Sequence, residues 1–267
     1  MENSSTVTSN KPSRNPILAQ LLKFLPAIVV FIGVLVLWEV LVNVLEIPSY
    51  VLPKPSTIAT EISGRAPSLL NHMKHTFFEA LGGFLIGSWV AFVTAVIFVN
   101  ARVIEKSMYP WAIVFQTVPI VAIAPLLTIW LGFGILPKMI ISAIICFFPM
   151  LVNSLKGLRA VSPQALELMD ILSASPKDIF LRLRLPSSLP FVFTGLKVTS
   201  TFSFAGAIVG EFTGADFGIG KVILVASYQQ QPALMFAGLT YSSVSAILFF
   251  MVISFLEKRF VHWDPEL

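Results

Sequence analysis

The chain has 267 residues, of which 56% are hydrophobic and only 12% charged, and its mean hydropathy is +0.84. Soluble domains carry about a quarter charged residues, so this composition excludes an ordinary soluble globule and indicates a protein of the lipid bilayer. The net charge of +4 comes from scattered basic residues, which excludes a nucleic-acid-binding patch, and the lone Cys146 excludes an internal disulfide and a cysteine metal cluster.

Taken in chain order, the sequence begins with a polar segment, residues 1–25, that is typical of a disordered cytosolic tail. Six apolar runs follow, and each is long enough to cross a bilayer as a helix. The first is too long for a signal peptide and no cleavage site follows it, so we expect it to remain as an anchor. The runs are Ala27–Leu45, Phe77–Val99, Tyr109–Leu131, Met139–Leu155, Leu189–Phe212 and Pro232–Leu256. The pattern predicts an all-α polytopic membrane protein with about six transmembrane helices over residues 26–262, and a short end at 263–267.

The distribution of basic residues predicts the orientation of these spans. Six spans place both termini on one side, which receives twelve Lys and Arg residues, whereas the other side receives five, with Lys197 inside a span. Cytosolic loops carry the excess of basic residues. We therefore expect both termini to be cytosolic, together with a loop at 157–188, the longest connection on that face.

Two of the spans contain residues that alter helix geometry. Pro119 and Pro125 lie in the third span, and each removes a helical hydrogen bond and predicts a kink. Such a kink serves either packing or a transport gate, and the residues themselves leave both open. Gly83 and Gly87 form a small-xxx-small pair suited to a close helix contact.

The loop at 157–188 contains two helix starts. Ser162 before Pro163 predicts an N-cap followed by proline at the first helical position. Ser175 and Asp178 repeat the device as a capping box. The pattern predicts a helix, a tight turn and a second helix that stops at Pro186, with many apolar residues. That apolar surface either docks a partner or packs onto the ends of the spans.

The stretch from Glu167 to Pro186 resembles the EAA loop of ABC importer permeases. Glu167 matches the glutamate of that motif, Leu168 and Met169 replace its two alanines, and Ser173 replaces its glycine, which often has a left-handed conformation. Leu183 matches a hydrophobic position and Leu185-Pro186 the ending. The likeness extends over about residues 52–262, through Leu52-Pro53-Lys54-Pro55-Ser56, Pro119–Leu131, Phe147-Phe148-Pro149, Gly195-Leu196-Lys197, Gly210-Glu211 and Gly218-Ile219-Gly220. These resemble the sulfonate, taurine and nitrate branch. Details such as His75-Thr76, Gln116-Thr117-Val118-Pro119 and Pro137-Lys138 are more similar to the subgroup for thiamine-precursor pyrimidines and riboflavin.

The resemblance implies a type I ABC importer permease in a bacterial inner membrane. Two permease copies would form the pathway, cytosolic ATP-binding subunits would receive the helix-turn-helix coupling loop, and an extracytosolic binding protein would deliver the solute. The chain itself would be no enzyme and hold no cofactor, since Gly214–Lys221 lacks the residues of a phosphate-binding loop. Coupling residues implied by the motif are Glu167, Leu168, Met169, Ser173, Ala174, Leu183, Leu185 and Pro186, and candidates for the pathway or gate are Pro119, Pro125 and Glu211.

Four charged residues fall within the predicted spans. Glu79 and Lys197 lie near span ends, so we expect them to snorkel toward water. Glu39 either pairs across the bundle or lies near the boundary, and Glu211, before three glycines, is expected at an outer pathway mouth where its helix ends. The alternative class is a gradient-driven secondary transporter. Such transporters often contain internal repeats and carboxylates near the middle of the membrane, and the sequence shows neither.

Overall fold

A computed structural model of the chain describes residues 16–261, with side chains from residue 25 onward. The described part is helical and contains no strand, and its helices are long and apolar enough for five spans, or six if a bent pair forms one span. The expected all-α polytopic fold is therefore confirmed. Residues 1–15 of the predicted tail and the predicted end at 263–267 lie outside the described residues.

The chain divides into two compact units, residues 1–57 and 58–267. In the first unit, α1 (Pro16–Val44) contains the first apolar span, Leu25–Val44. The carboxylate of Glu39 accepts hydrogen bonds from Ser56, 3.0 Å from its backbone N and 2.7 Å from its Oγ. Because Ser56 lies in the first turn of α2 (Pro55–Gly64), this carboxylate satisfies a helix N-terminus.

The second unit contains the remaining helices. These are α3 (Ala66–Asn100), α4 (Arg102–Thr117), α5 (Ile120–Leu131), α6 (Ile135–Arg159), α7 (Pro163–Ile171), α8 (Pro176–Asp178), a π-helical segment (Ile179–Arg184), α9 (Leu185–Phe212), α10 (Ile219–Tyr228) and α11 (Pro232–Phe260). The sequence analysis predicted neither α2 nor α10.

The third predicted span is a pair of helices, α4 and α5, that meet at an angle of 97°. Pro119 caps the start of α5 in an extended conformation, so the break predicted there is confirmed. Pro125 lies inside α5, which continues through it as a helix. Pro125 therefore does not interrupt α5, and the kink predicted at this residue stays a prediction.

Helices α3, α6 and α9 form the centre of the second unit, and small residues let them approach closely. A Cβ on Gly87 would lie 2.9 Å from Cα of Ala143 on α6, and one on Gly206 would lie 2.5 Å from Cα of Ser142. These distances are shorter than carbon–carbon van der Waals contact, so only glycine fits. The close contact predicted for Gly83 and Gly87 is confirmed.

Two clusters of buried apolar side chains lie along this centre. One includes Phe84, Phe204 and Phe249, whose rings make edge contacts, and joins α3 and α9 to α10 and α11. The other joins α3, α6 and α9 toward the end where the 157–188 loop lies, and Phe180 of that loop packs against it. The loop is therefore anchored to the bundle.

Candidate coupling loop and buried charged cluster

The first helix of the loop, α7, begins as the sequence predicts. Ser162 adopts an extended conformation, and its Oγ accepts a hydrogen bond from the backbone N of Ala165 at 3.3 Å. Pro163 occupies the first helical position, where its missing N–H costs no helical hydrogen bond. Both parts of the predicted helix start are confirmed.

The turn after α7 forms at Ser173, which has a φ of +51°. The backbone N of Ser173 donates to the carbonyl of Asp170 at 2.8 Å, and that of Ala174 donates to Met169 at 2.9 Å. This pair of hydrogen bonds is the Schellman motif, whose left-handed position favours glycine. Ser173 therefore adopts the conformation expected of the residue that the EAA motif fills with glycine.

The second helix start is also confirmed, but the helix does not end where predicted. Ser175 Oγ accepts from the backbone N of Asp178 at 3.2 Å and donates to its carboxylate at 2.5 Å. The helical chain then passes through the π-helical segment directly into α9. Leu185 N donates to Phe180 O, five residues back, and this wider register accommodates Pro186 in the first turn of α9. The predicted stop at Pro186 is wrong.

Part of the apolar surface of the loop faces outward. Leu168, Ile171 and Leu172 are 56%, 80% and 66% exposed, and Glu167 beside them is exposed. Since residues three and four apart lie on one helix face, these four side chains form a continuous surface, here called the α7 face. Of the other motif residues, Ser173 is exposed, whereas five are half-buried: Met169, Ala174, Leu183, Leu185 and Pro186.

A cavity of about 800 Å³ lies beside the bend between α4 and α5. Pro119 lines it, with Gln116 on α4 and the rings of Phe147 and Phe148 on α6. Its lining side chains are mostly apolar, and none is charged. Pro125 and Glu211 do not line it, so the structure does not bring the three gate candidates together.

Glu79 forms a buried ion pair with Lys138 of α6. Lys138 Nζ lies 3.0 Å from Glu79 Oε1, with side chains 8% and 4% exposed. Lys138 also packs against Gly210, the residue before Glu211: a Cβ on Gly210 would lie 2.9 Å from Cα of Lys138. Lys197, in turn, pairs with Glu257 at 2.8 Å. The expectation that Glu79 and Lys197 snorkel is wrong, because each finds an opposite charge within the protein.

The carboxylate of Glu211 caps the N-terminus of α10. Its Oε2 accepts from the backbone N of Gly220, and its Oε1 accepts from Thr76 Oγ1 at 2.6 Å. Thr76 Oγ1 in turn accepts from Ile219 N at 2.8 Å. Glu211 and Thr76 thus accept hydrogen bonds from two of the otherwise free N–H groups of this helix, and a carboxylate there complements the helix dipole.

Gly218 completes this junction. Its backbone N donates to His72 Nδ1 at 3.1 Å and its φ is +129°, a conformation that favours glycine. As predicted, α9 ends next to Glu211, but the carboxylate is only 1% exposed. The expected position of Glu211 at a pathway mouth stays a prediction.

Comparison with known proteins decides the family. Residues 83–262, two thirds of the chain, match the family model described as "Binding-protein-dependent transport system inner membrane component". The chain belongs to this family. It is therefore a permease component of ABC transport systems and not an enzyme.

Individual proteins agree with this assignment. The permease is 32% identical over 232 residues to a "Probable ABC transporter permease protein" of Haemophilus influenzae, covering 86% of this chain and 94% of the relative. It is 31% identical to the "Formylaminopyrimidine transport permease protein ThiX" of Halalkalibacterium halodurans, covering 88% and 94%, and 28% identical to the "Riboflavin transport system permease protein RibX" of Chloroflexus aurantiacus, covering 87% of each. The inward-facing MetNI methionine ABC transporter shares the fold, with a TM-score of 0.56 at 17% identity, covering 74% of this chain and 94% of that one.

Besides α2, three features of the permease were not predicted. Lys138, which was counted among the basic residues of the outer side, has a buried side chain, and neither α10 nor its junction with Glu211 was predicted. The Gly-rich segment around Gly218 was the available signal for that junction, because a glycine before an apolar run is compatible with a helix start. No local signal identified the partner of Lys138, 59 residues away in the sequence.

Proposed function

We propose that this permease is the membrane subunit of an ATP-driven importer and that its α7 face docks onto a cytosolic ATP-binding subunit. The observation that carries the proposal is the exposed, capped helix with Leu168, Ile171 and Leu172 beside Glu167. An apolar surface of this kind at a loop indicates a protein contact. On this proposal the loop end of the bundle, and with it both termini, faces the cytosol, in agreement with the excess of basic residues.

The loop is built to transmit force. Both of its helix starts are capped, its turn is closed by two backbone hydrogen bonds, and its second helix continues without a break into α9. A displacement of the α7 face therefore passes to α9 as a rigid movement and not as local bending. This is the behaviour required of a coupling element.

The docking proposal is tested by charge reversal. A tagged permease carrying Glu167→Arg is expected to insert normally but to lose the ATP-binding subunit that co-purifies with the unaltered chain in mild detergent. Asp216→Arg is the matched control, because Asp216 is also exposed and lies between α9 and α10, away from the loop. Equal recovery of the ATP-binding subunit with Glu167→Arg and the unaltered chain would contradict the docking model.

We further propose that two copies of the permease form the pathway and that an extracytosolic binding protein delivers the solute. Exposed apolar side chains on α4 and α5, among them Trp111, Phe115 and Trp130, support a second copy next to the cavity beside the bend. Native mass spectrometry of the purified complex is expected to give two permeases with two ATP-binding subunits. A stoichiometry with one permease would contradict this part.

For the solute, we propose a small aromatic heterocycle of the riboflavin or thiamine-precursor pyrimidine class. Two relatives carry such names, and the cavity beside the bend supports the class because phenyl rings line it and charged side chains do not. A sulfonate would favour a cationic or strongly donating wall. The sulfonate class remains the second candidate, because the relative named "Putative aliphatic sulfonates transport permease protein SsuC" of Bacillus subtilis is 27% identical.

Uptake measurements distinguish the candidates. Proteoliposomes containing the purified complex and the binding protein captured with it are expected to accumulate labelled riboflavin or a formylaminopyrimidine only when ATP is supplied. Accumulation of taurine instead would support the sulfonate class. Uptake by the permease alone, driven by a proton or sodium gradient without ATP, would support the secondary transporter alternative and contradict the proposal.

Finally, we propose that the bend at Pro119 and the junction at Glu211 act as separate parts of the gate. Pro119 borders the cavity, and Glu211 fixes the start of α10 against α3 and α9. Pro125 does not break α5, so on this proposal it would act through the packing of α5, the second helix of the bent pair. The role of Glu211 is tested below.

A further inference from the structure

A second cavity, of about 620 Å³, lies at the end of the bundle where α3 and α6 end and α4 begins. It lies outside the cavity beside the bend and outside the α7 face. We call it the basic pocket. Its lining includes Arg102, Lys106, Arg159 and Arg184, together with Leu158 and Leu166.

The pocket has an excess of positive charge. Its lining contains four basic side chains and one acidic side chain, Glu105, which pairs with Arg159 at 2.5 Å. Within residues 16–261, Arg102, Lys106 and Arg184 have no carboxylate at ion-pair distance. Three cations without a counter-charge around one cavity favour an anionic occupant.

Apart from Tyr109, the remaining lining of the pocket is apolar. Leu158 is buried, Val161 and Leu166 are half-buried, and Val99 and Pro110 belong to the ends of predicted spans. A free phosphate would leave these apolar side chains in contact with water and most of the cavity volume unfilled. A molecule that joins a phosphate to an apolar chain satisfies both kinds of wall.

We propose that the basic pocket binds the headgroup of an anionic phospholipid. Its phosphodiester would receive charge-assisted hydrogen bonds from Arg102, Lys106 and Arg184, and its glycerol and first methylenes would lie against Leu158 and Leu166. Basic pockets between helices at the cytosolic surface bind such headgroups. The assignment to the cytosolic leaflet rests on the proposed function, which orients this end of the bundle.

The bound lipid has a structural consequence. Leu166 and Arg184 belong to the 157–188 loop, whereas Arg102 and Lys106 belong to α4, the first half of the bent pair. A headgroup held by both would tie the coupling loop to α4. Anionic lipid is therefore expected to stabilise the loop against the bundle.

The test is native mass spectrometry of the full chain in mild detergent, titrated with phosphatidylglycerol or phosphatidylcholine. The unaltered chain is expected to retain phosphatidylglycerol preferentially. Arg102→Gln with Lys106→Gln is expected to weaken this binding about thirtyfold, at about 1 kcal/mol per basic residue and 1.4 kcal/mol per tenfold. Lys258→Gln with Arg259→Gln removes two exposed charges at the last turn of α11 and is the matched control, expected to change binding by less than about twofold.

The outcomes separate the possible occupants. Equal losses in the two double variants would overturn the pocket in favour of unspecific surface charge. Displacement of the lipid by millimolar inorganic phosphate would identify a free-anion site and overturn the lipid assignment. An Arg184→Gln variant, which changes the loop side of the lining, is expected to weaken lipid binding as well, and unchanged binding there would also contradict the site.

Parallel co-purification separates this proposal from the proposed function. If the Arg102 and Lys106 double variant loses lipid but keeps the ATP-binding subunit, the lipid site is supported and α7 docking stands independently. If it loses the ATP-binding subunit in phosphatidylcholine alone, the pocket receives an acidic group of that subunit, and the lipid proposal is overturned. Glu167→Arg is expected to keep the lipid while losing the ATP-binding subunit.

Discussion

Substitution of either partner in the buried ion pair of Lys138 and Glu79 is expected to lower the stability of the fold. The size of each loss follows from the charges around the pair. Lys138 pairs with Glu79 and packs against Gly210, the neighbour of a second buried carboxylate, Glu211, so two carboxylates and one ammonium group lie in this region. Lys138→Met leaves both carboxylates buried without a cation, which costs about 3–5 kcal/mol when one partner of a buried pair is removed. Glu79→Gln leaves Lys138 beside Glu211, so its cost is limited to about one hydrogen bond, roughly 1 kcal/mol. We therefore expect a strong asymmetry between two partners of the same ion pair.

The assay uses the chain's own thiol. Cys146 is the one cysteine in the sequence, and its side chain is 0% exposed on α6. A thiol-reactive dye will therefore report the unpacking of α6 on heating in detergent. At about 2–4 °C per kcal/mol for chains of this size, Lys138→Met is expected to lower the apparent Tm by roughly 6–20 °C, and Glu79→Gln by a few degrees.

Two further variants control this experiment. The double variant Lys138→Met with Glu79→Gln leaves one buried carboxylate in place of two, and we expect it to be more stable than Lys138→Met alone by at least about 1 kcal/mol. Lys197→Met makes the same side-chain change in a pair whose lysine is 21% exposed, and it should cost less than Lys138→Met. The reasoning is refuted if Glu79→Gln destabilises as much as Lys138→Met, or if the double variant is the least stable of the series.

Three other predictions follow from single positions. Ser173→Gly removes a left-handed serine and is expected to raise stability by up to about 1 kcal/mol with uptake retained; reduced stability in the thiol assay would contradict the strain at the turn. Gly87→Ala places a methyl against the backbone of Ala143 and is expected to lower the stability by about 1–3 kcal/mol. Gly33→Ala, with open space around it, is the control and should be neutral or stabilising. Equal effects of the two variants on stability would show that α3 and α6 can separate at no cost. Glu211→Gln removes the charge at the start of α10 and is expected to lower uptake together with coupled ATP hydrolysis, both measured in proteoliposomes; unchanged values would exclude a gating role.

Several features could be predicted from the sequence because they depend on neighbouring residues. The caps at Ser162 and Ser175 form between groups three residues apart, and the break at Pro119 follows from a missing N–H in the same segment. The apolar runs similarly predicted the spans, because the length needed to cross a bilayer is a property of each run by itself. The same proline rule failed at Pro186. It predicted that the helix ends there, but the π-helical segment before this proline lets the helix continue into α9.

The tertiary structure decided everything that depends on how one helix is rotated and shifted against another. Whether Lys138 meets Glu79 is set by the close contact of α3 with α6 at Gly83 and Gly87, and whether Glu211 meets α10 is set by a turn that brings Gly220 back to it. The basic pocket likewise exists because residues of α3, α4, α6, α7 and the π-helical segment meet at one place. Span, cap and break are properties of a local sequence, whereas a charge in a membrane helix acquires its partner only through the packing of the whole bundle.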